Sequence, residues 1–123
     1  MATTVFREPV RPGEHLVSEV TTQSREVGVI TGGAAYVAGT VLGKITASGK
    51  LTILTPAASD GSQNAAAVLY GPVDTTAGDR SATINVRLTE VNGLVLTWPT
   101  GITGVQQSAA IAQLAALGVI VRT

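Results

Sequence analysis

Cysteine is absent from this chain, so no disulfide and no thiolate metal site can hold the fold, and its redox compartment is immaterial. Aromatic side chains are scarce, at 3% with a single Phe and a single Trp. A core built without them relies on small aliphatics, each of which buries less area, so such a subunit gains by burying further surface against a partner. Neither charge dominates: eight basic side chains offset eight acidic ones. No Lys/Arg stripe exists, and the largest basic clusters are pairs such as Arg7 and Arg11. Nucleic-acid binding rests on phosphate neutralisation, and this balance speaks against it. No apolar run approaches the roughly 20 residues that span a bilayer. The segment Met1 to Pro9 has no apolar core of a secretory signal. The expectation is a soluble protein made in a cytoplasm, with no membrane partner.

Apolar residues, mostly Ala, Val, Leu and Ile, make up 45% of the 123 residues. A chain of this size forms one domain and buries roughly two-thirds of its extended surface on folding. Residues 1–13 read as a flexible arm. Pro9, Pro12 and Gly13 interrupt helix and sheet, and Arg7, Glu8 and Arg11 keep the segment solvated. Val5 and Phe6 stand out within it. The segment is either a frayed terminus or an arm that orders on a partner.

Beyond the arm, short strands alternate with turns. Leu16 to Val20 and Glu26 to Ile30 flank a polar turn at Thr21 to Ser24, and Val41 to Ile45 and Leu51 to Leu54 flank Ala47-Ser48-Gly49-Lys50 as a hairpin. Thr55 to Asn64 is a loop, and Ala65 to Tyr70 a buried strand stopped by Gly71-Pro72. The alternation over Thr83 to Thr89 predicts a strand with Ile84, Val86 and Leu88 on the core face and Asn85 and Arg87 on the other. Asn92-Gly93 marks a turn before Leu94 to Trp98. Thr103 is suited to cap a helix running to Leu117, with Gly118 at its left-handed end. Ile111, Leu114 and Leu117, with Ala110, form its apolar stripe, and Val119 to Val121 follow as a last strand. The fold class is therefore α+β, mainly β: one compact β-rich domain over residues 14–123 with one C-terminal helix, behind the arm of residues 1–13.

Catalytic chemistry finds little to work with. The one His, His15, sits beside Glu14 and Leu16 at the arm boundary and reads as a surface or interface side chain, not a base. No G-x-S-x-G elbow occurs. Asp60, Asp74 and Asp79 stand in turns, where Asp caps backbone, so no catalytic, cofactor-binding or metal-binding residue is assigned. Gly39 to Ile45 has three residues between its glycines where a phosphate loop has four, and Ile45 replaces the metal-binding hydroxyl. A biotinyl or lipoyl carrier domain would present a hairpin lysine between characteristic neighbours, a pattern that Ser48-Gly49-Lys50-Leu51 lacks. Trp98-Pro99 is the strongest single feature outside the arm. Trp98 either plugs the core where a strand ends, with Pro99 forcing an extended exit, or makes a subunit contact, and one Trp can do both.

Several stretches taken in order carry a resemblance: Gly39 to Ile45, Pro56-Ala57-Ala58-Ser59-Asp60-Gly61, Ala67 to Asp74, Glu90-Val91-Asn92-Gly93, Leu96-Thr97-Trp98-Pro99 and the Ala-rich terminal helix. Together they resemble the head decoration proteins of lambda-like tailed phages across about residues 13–122. The resemblance implies a virion protein on the outer surface of the expanded head, trimeric at threefold positions. There it would bridge major capsid protein subunits and stabilise the shell against packaged DNA, with neither nucleic acid nor a small-molecule substrate as partner. It also implies a capsid-binding arm, here Thr3, Thr4, Val5, Phe6 and Arg7, that orders by extending a sheet of the shell protein. No individual contact residue carries over, because length and most side chains depart from the lambda member. A tail or fibre module would share the β-rich, trimeric character but would show repeats or a long fibrous segment.

Overall fold

The computed structural model describes residues 11–122; Thr3, Thr4, Val5, Phe6 and Arg7 lie outside the described residues. The elements run β1 (Leu16–Glu19), α1 (Thr21–Ser24), β2 (Arg25–Ile30), β3 (Ala35–Tyr36), β4 (Val41–Lys44), β5 (Leu51–Ile53), β6 (Ala65–Leu69), β7 (Val73–Asp74), β8 (Arg80–Asn85), β9 (Thr89–Asn92), α2 (Gly104–Leu117) and β10 (Val119–Arg122). Ten strands and a C-terminal helix make this the expected β-rich domain. The polar segment read as a turn at Thr21 to Ser24 is the single helical turn α1.

Five strands close a barrel in the order β2-β5-β4-β6-β8. The expected hairpin is β4-β5, antiparallel, with Leu42 opposite Ile53. Beside the barrel lies a three-stranded sheet, β1-β9-β10. Here β1 runs antiparallel to β9 and β10 parallel to it, so the parallel pair is joined by a crossover through α2. A short β3-β7 pair completes the sheets.

The packing explains why the central strands read as continuous apolar runs and not as alternations. Both faces of β4 and β6 are covered. Leu42, Ala67 and Leu69 point into the barrel with Ile30, Leu51 and Ile84, whereas Val41, Ala65 and Val68 join Val91, Ala110, Leu114 and Val119 in a second cluster under α2. A register shift between Leu42 and Gly43 in the β4-β6 ladder places Ala65 opposite Gly43. Such a bulge bends the strand, and Ala65 sides with Val68 in the helix-side cluster.

Helix α2 begins in a capping box. Thr103 Oγ1 accepts from Gln106 N–H at 3.2 Å, and Gln106 Oε1 accepts from Thr103 N–H at 3.0 Å. It ends at Gly118, whose φ of +93° is the left-handed region expected there. The apolar stripe is narrower than the spacing predicts. Ala110 and Leu114, one turn apart, are its buried residues, Ile111 is half-buried, and Leu117 is 47% exposed. Leu117 reaches past the packed line to the rim of the barrel, where it lines a groove with Val86 and Arg87.

A second correction concerns Thr83 to Thr89. The strand covers Arg80–Asn85 and stops before the alternation does. Ile84 is buried and Val86 packs against the barrel cluster, as the pattern predicts. Asn85, placed on the outer face by alternation, is 0% exposed, and Leu88, placed in the core, is 49% exposed with φ at +49°. The chain leaves the barrel at Val86, whose N–H bonds Ser24 C=O, and Leu88 takes the left-handed conformation that turns it into β9. Asn85 is buried because β1 covers the outer face at that point, and it meets polar partners there.

Candidate functional site

Where the segment read as an arm meets the rest of the chain, the described residues form a built junction. Glu14 N–H bonds Arg11 C=O at 3.0 Å, Arg11 N–H bonds Glu14 Oε2 at 3.0 Å, and Leu16 N–H bonds Gly13 C=O at 3.0 Å. Residues 11–13, grouped with the arm by composition, thus form a hydrogen-bonded turn. Gly13 N–H also bonds Tyr70 C=O at 2.9 Å, which pins the turn to the end of β6. Glycine is required there: φ is +73°, and a Cβ would sit 3.1 Å from the Tyr70 ring.

Behind the turn lies a polar chain that sequence reasoning did not find. His15, expected at a surface or interface, is 0% exposed. Its Nε2 lies 3.0 Å from Asn85 Oδ1, and Asn85 Nδ2 donates to Glu19 Oε2 at 3.3 Å. The amide must turn its NH₂ to the carboxylate, which leaves its oxygen for His15, so Nε2 carries the imidazole proton. Nδ1 is then a bare acceptor, buried with no hydrogen-bond partner. Glu19 also pairs with Arg25, whose Nε donates to Oε2 at 3.0 Å while the guanidinium closes on Oε1 as well. Arg25 lies over the Tyr70 ring at 4.1 Å from its centroid, and Tyr70 meets His15 edge to face at 6.4 Å. Burial pushes the His15 pKa below 6.5, against the opposing pull of Asn85 and Glu19. Glu19 in turn holds the Arg25 pKa up. The one signal available in the sequence was Asn85, a polar residue flanked by Ile84 and Val86 in an apolar strand.

Trp98 and Pro99 sit on the other side of β4's entry. Thr97 N–H bonds Gly39 C=O at 2.9 Å, and Val41 N–H bonds Thr97 C=O at 3.1 Å, a bridge that delivers Trp98 half-buried against the helix-side cluster. Its Nε1 is buried without a partner. Pro99 is half-buried and accepts from Ile102 N–H at 3.3 Å, leading the chain into α2. Gly39 links the two regions, because a Cβ there would lie 3.6 Å from His15 Cβ.

The other polar groups cap turns or pair locally. Asp60 accepts from Ser62 N–H and Oγ, and Asp74 from Thr76 N–H and Oγ1, which holds both carboxyls below their usual range. Lys50, in the carrier-like hairpin, donates to Asp79 at 2.6 Å. Among the described residues no three His, Asp or Glu side chains gather as metal donors, and no helix is long and apolar enough to cross a membrane. An open groove of about 330 Å³ at one barrel mouth is lined by Leu51, Ile84, Val86 and Leu117 between Lys44 and the Glu26–Arg87 ion pair. The built features are thus the hydrogen-bonded turn at residues 11–13, the exposed apolar side chains Val17, Val20 and Leu88, and the Trp98-Pro99 corner.

Compared with protein families, residues 5–119 match the model of the bacteriophage lambda head decoration protein D. No match is found among curated proteins.

Proposed function

The chain belongs to the bacteriophage lambda head decoration protein D family, and from that membership we propose that it stabilises the expanded head from outside, as trimers at threefold positions that bridge major capsid protein subunits. The structural capsid role is the family's own. The trimer, the threefold site and the arm as capsid contact are the further reading.

The observation that carries it is the extent of the match, which starts at residue 5, inside the arm, and runs through α2 to Val119. The root geometry supports the arm's part in it. A segment that transmits load to a shell needs a fixed exit point, and Gly13 on Tyr70 supplies one. On and after β1, Val17, Val20 and, across a backbone hydrogen bond from Val20, Leu88 are 56%, 48% and 49% exposed. Apolar surface of this kind suits contact with a neighbouring subunit. Closed cyclic symmetry buries one patch per copy against another, and many copies on one particle multiply modest contacts.

Cryo-electron microscopy of heads with and without the protein tests this directly. Three copies of density around each threefold axis, absent from undecorated heads, are expected; paired copies on twofold axes would overturn the trimer.

Trp98 is the structural anchor in this reading, holding Leu96 to Pro99 against the core where Gly39 and Thr97 pair. Being half-buried, it should contribute less than a fully enclosed Trp. Trp98→Ala should lower stability by about 2–3 kcal/mol, under the range for complete burial, measured by urea denaturation of the free protein. A loss below about 1 kcal/mol would move its role to a subunit contact.

A further inference from the structure

We infer that the arm root is a proton-sensitive latch: protonation of His15 releases residues 11–19 from the barrel while the barrel itself stays closed.

The geometry supplies each part. His15 joins the first strand to β8 through Asn85, and the neutral ring fits because Nε2–H has its acceptor. A second proton would go to Nδ1, which is fully buried and faces no acceptor. The imidazolium would thus carry both a charge and an unsatisfied N–H in a site closed to water. The charged and titratable groups around it come from each packed element. From β1 comes Glu19, from β2 Arg25, and from the end of β6 Tyr70; Asn85 on β8 and Gly39 before β4 are uncharged. Glu14, next in sequence, is exposed and engaged with Arg11 N–H. Glu19 is the one anion in the set, and it is already shared between Arg25 and Asn85. Among the described residues no group there is free to neutralise the imidazolium.

Release can be local because β1 is an edge strand. Among the described residues it pairs with β9 alone, and its links to the barrel strands run through the side chain of Glu19, not through the barrel ladder. Opening residues 11–19 frees His15 to solvent, so the opened form binds the proton at an ordinary affinity and the closed form does not. The depressed folded pKa fixes the sign. Closure is fully favoured above the ordinary value of 6.5, and weakens as pH falls below it until the folded value is passed. Within that window the open fraction rises by up to about tenfold per pH unit.

The consequence for capsid attachment rests on the proposed arm contact, so the test uses the free protein and stands apart from it. His15 is the one histidine in the chain, so its imidazole resonances are followed by NMR between about pH 7.5 and pH 5, the physiological switching range. Hydrogen exchange of residues 11–19 is measured over the same range and corrected for intrinsic rates. The expected result is titration below 6.5, with exchange of residues 11–19 accelerating on acidification while β4 and β6 amides stay protected. His15→Gln, whose side-chain amide can still donate to Asn85, should remove the acceleration. Titration at or above 6.5, exchange of residues 11–19 that ignores pH, equal loss of protection in β4 and β6, or a His15→Gln protein that keeps the acceleration would each overturn the latch.

Discussion

Deleting residues 2–10 should leave the thermal midpoint of the domain within about 2 °C of the full chain while removing most of its binding to undecorated expanded heads. Among the described residues the root is held by the turn at Arg11 that Gly13 ties to Tyr70, and the truncated protein retains those hydrogen bonds. The lost part is the segment proposed to add a strand to the shell. If strand addition contributes about four main-chain hydrogen bonds at roughly 0.5–1.5 kcal/mol each, their loss amounts to about 2–6 kcal/mol. That corresponds to roughly 30-fold to 20,000-fold weaker binding per arm. Scanning calorimetry gives the first quantity and co-sedimentation with undecorated heads the second. Undiminished binding by the truncated protein would move the contact to the folded surface around Val17, Val20 and Leu88.

The largest effect on stability is expected at Gly43. This residue is buried in β4 at the register shift, and the loop from Thr55 to Asn64 folds directly onto it. A Cβ at Gly43 would lie 2.2 Å from Ser62 O and 2.7 Å from its carbonyl carbon. The obstruction is backbone, held in place by Thr55 N–H on Ser62 C=O at 2.9 Å, so no side-chain rotation relieves it. Gly43→Ala should therefore cost about 3 kcal/mol or more, at the upper end for overpacked cores, and lower the melting midpoint by roughly 10 °C. Gly104→Ala is the matched control. Nothing lies within 4 Å of its Cβ position at the start of α2, and alanine should be neutral there or stabilise by up to about 1 kcal/mol. Denaturant titration of both variants measures the difference. Equal stabilities would mean that the Ser62 loop yields without cost.

What the sequence made legible was local. The capping residues of α2, the β4-β5 hairpin, the loop at Thr55 to Asn64 and the buried Ala65 to Leu69 run each follow from neighbours within a few positions. Leu88 is turned outward by its own left-handed backbone, whereas the misreadings at Asn85, Leu117 and His15 share one cause. Each side chain's environment is set by an element far away in sequence. Asn85 is covered by β1, some 70 positions earlier. Leu117 overhangs a barrel rim built by other strands. Alternation reports which residues share a face, and it is silent on whether both faces are covered. The candidate site was half visible for the same reason. Pro12 and Gly13 announced a break in the chain, but the partner that turns the break into an anchor, Tyr70, is supplied by tertiary packing.

The placement of β9 between the first described strand and the last has a kinetic side. Val91 pairs with Leu16 on one edge and with Val121 on the other. As the chain is synthesised from its N-terminus, β1 must wait for residues some 75 positions later before it has a partner, and the sheet is complete only when β10 emerges. Folds dominated by such distant pairings form in milliseconds to seconds, slower than helical domains of similar size. A nascent or prematurely terminated chain therefore carries an arm that is attached to no finished sheet. Only a chain translated through β10 holds β1 against a finished three-stranded sheet.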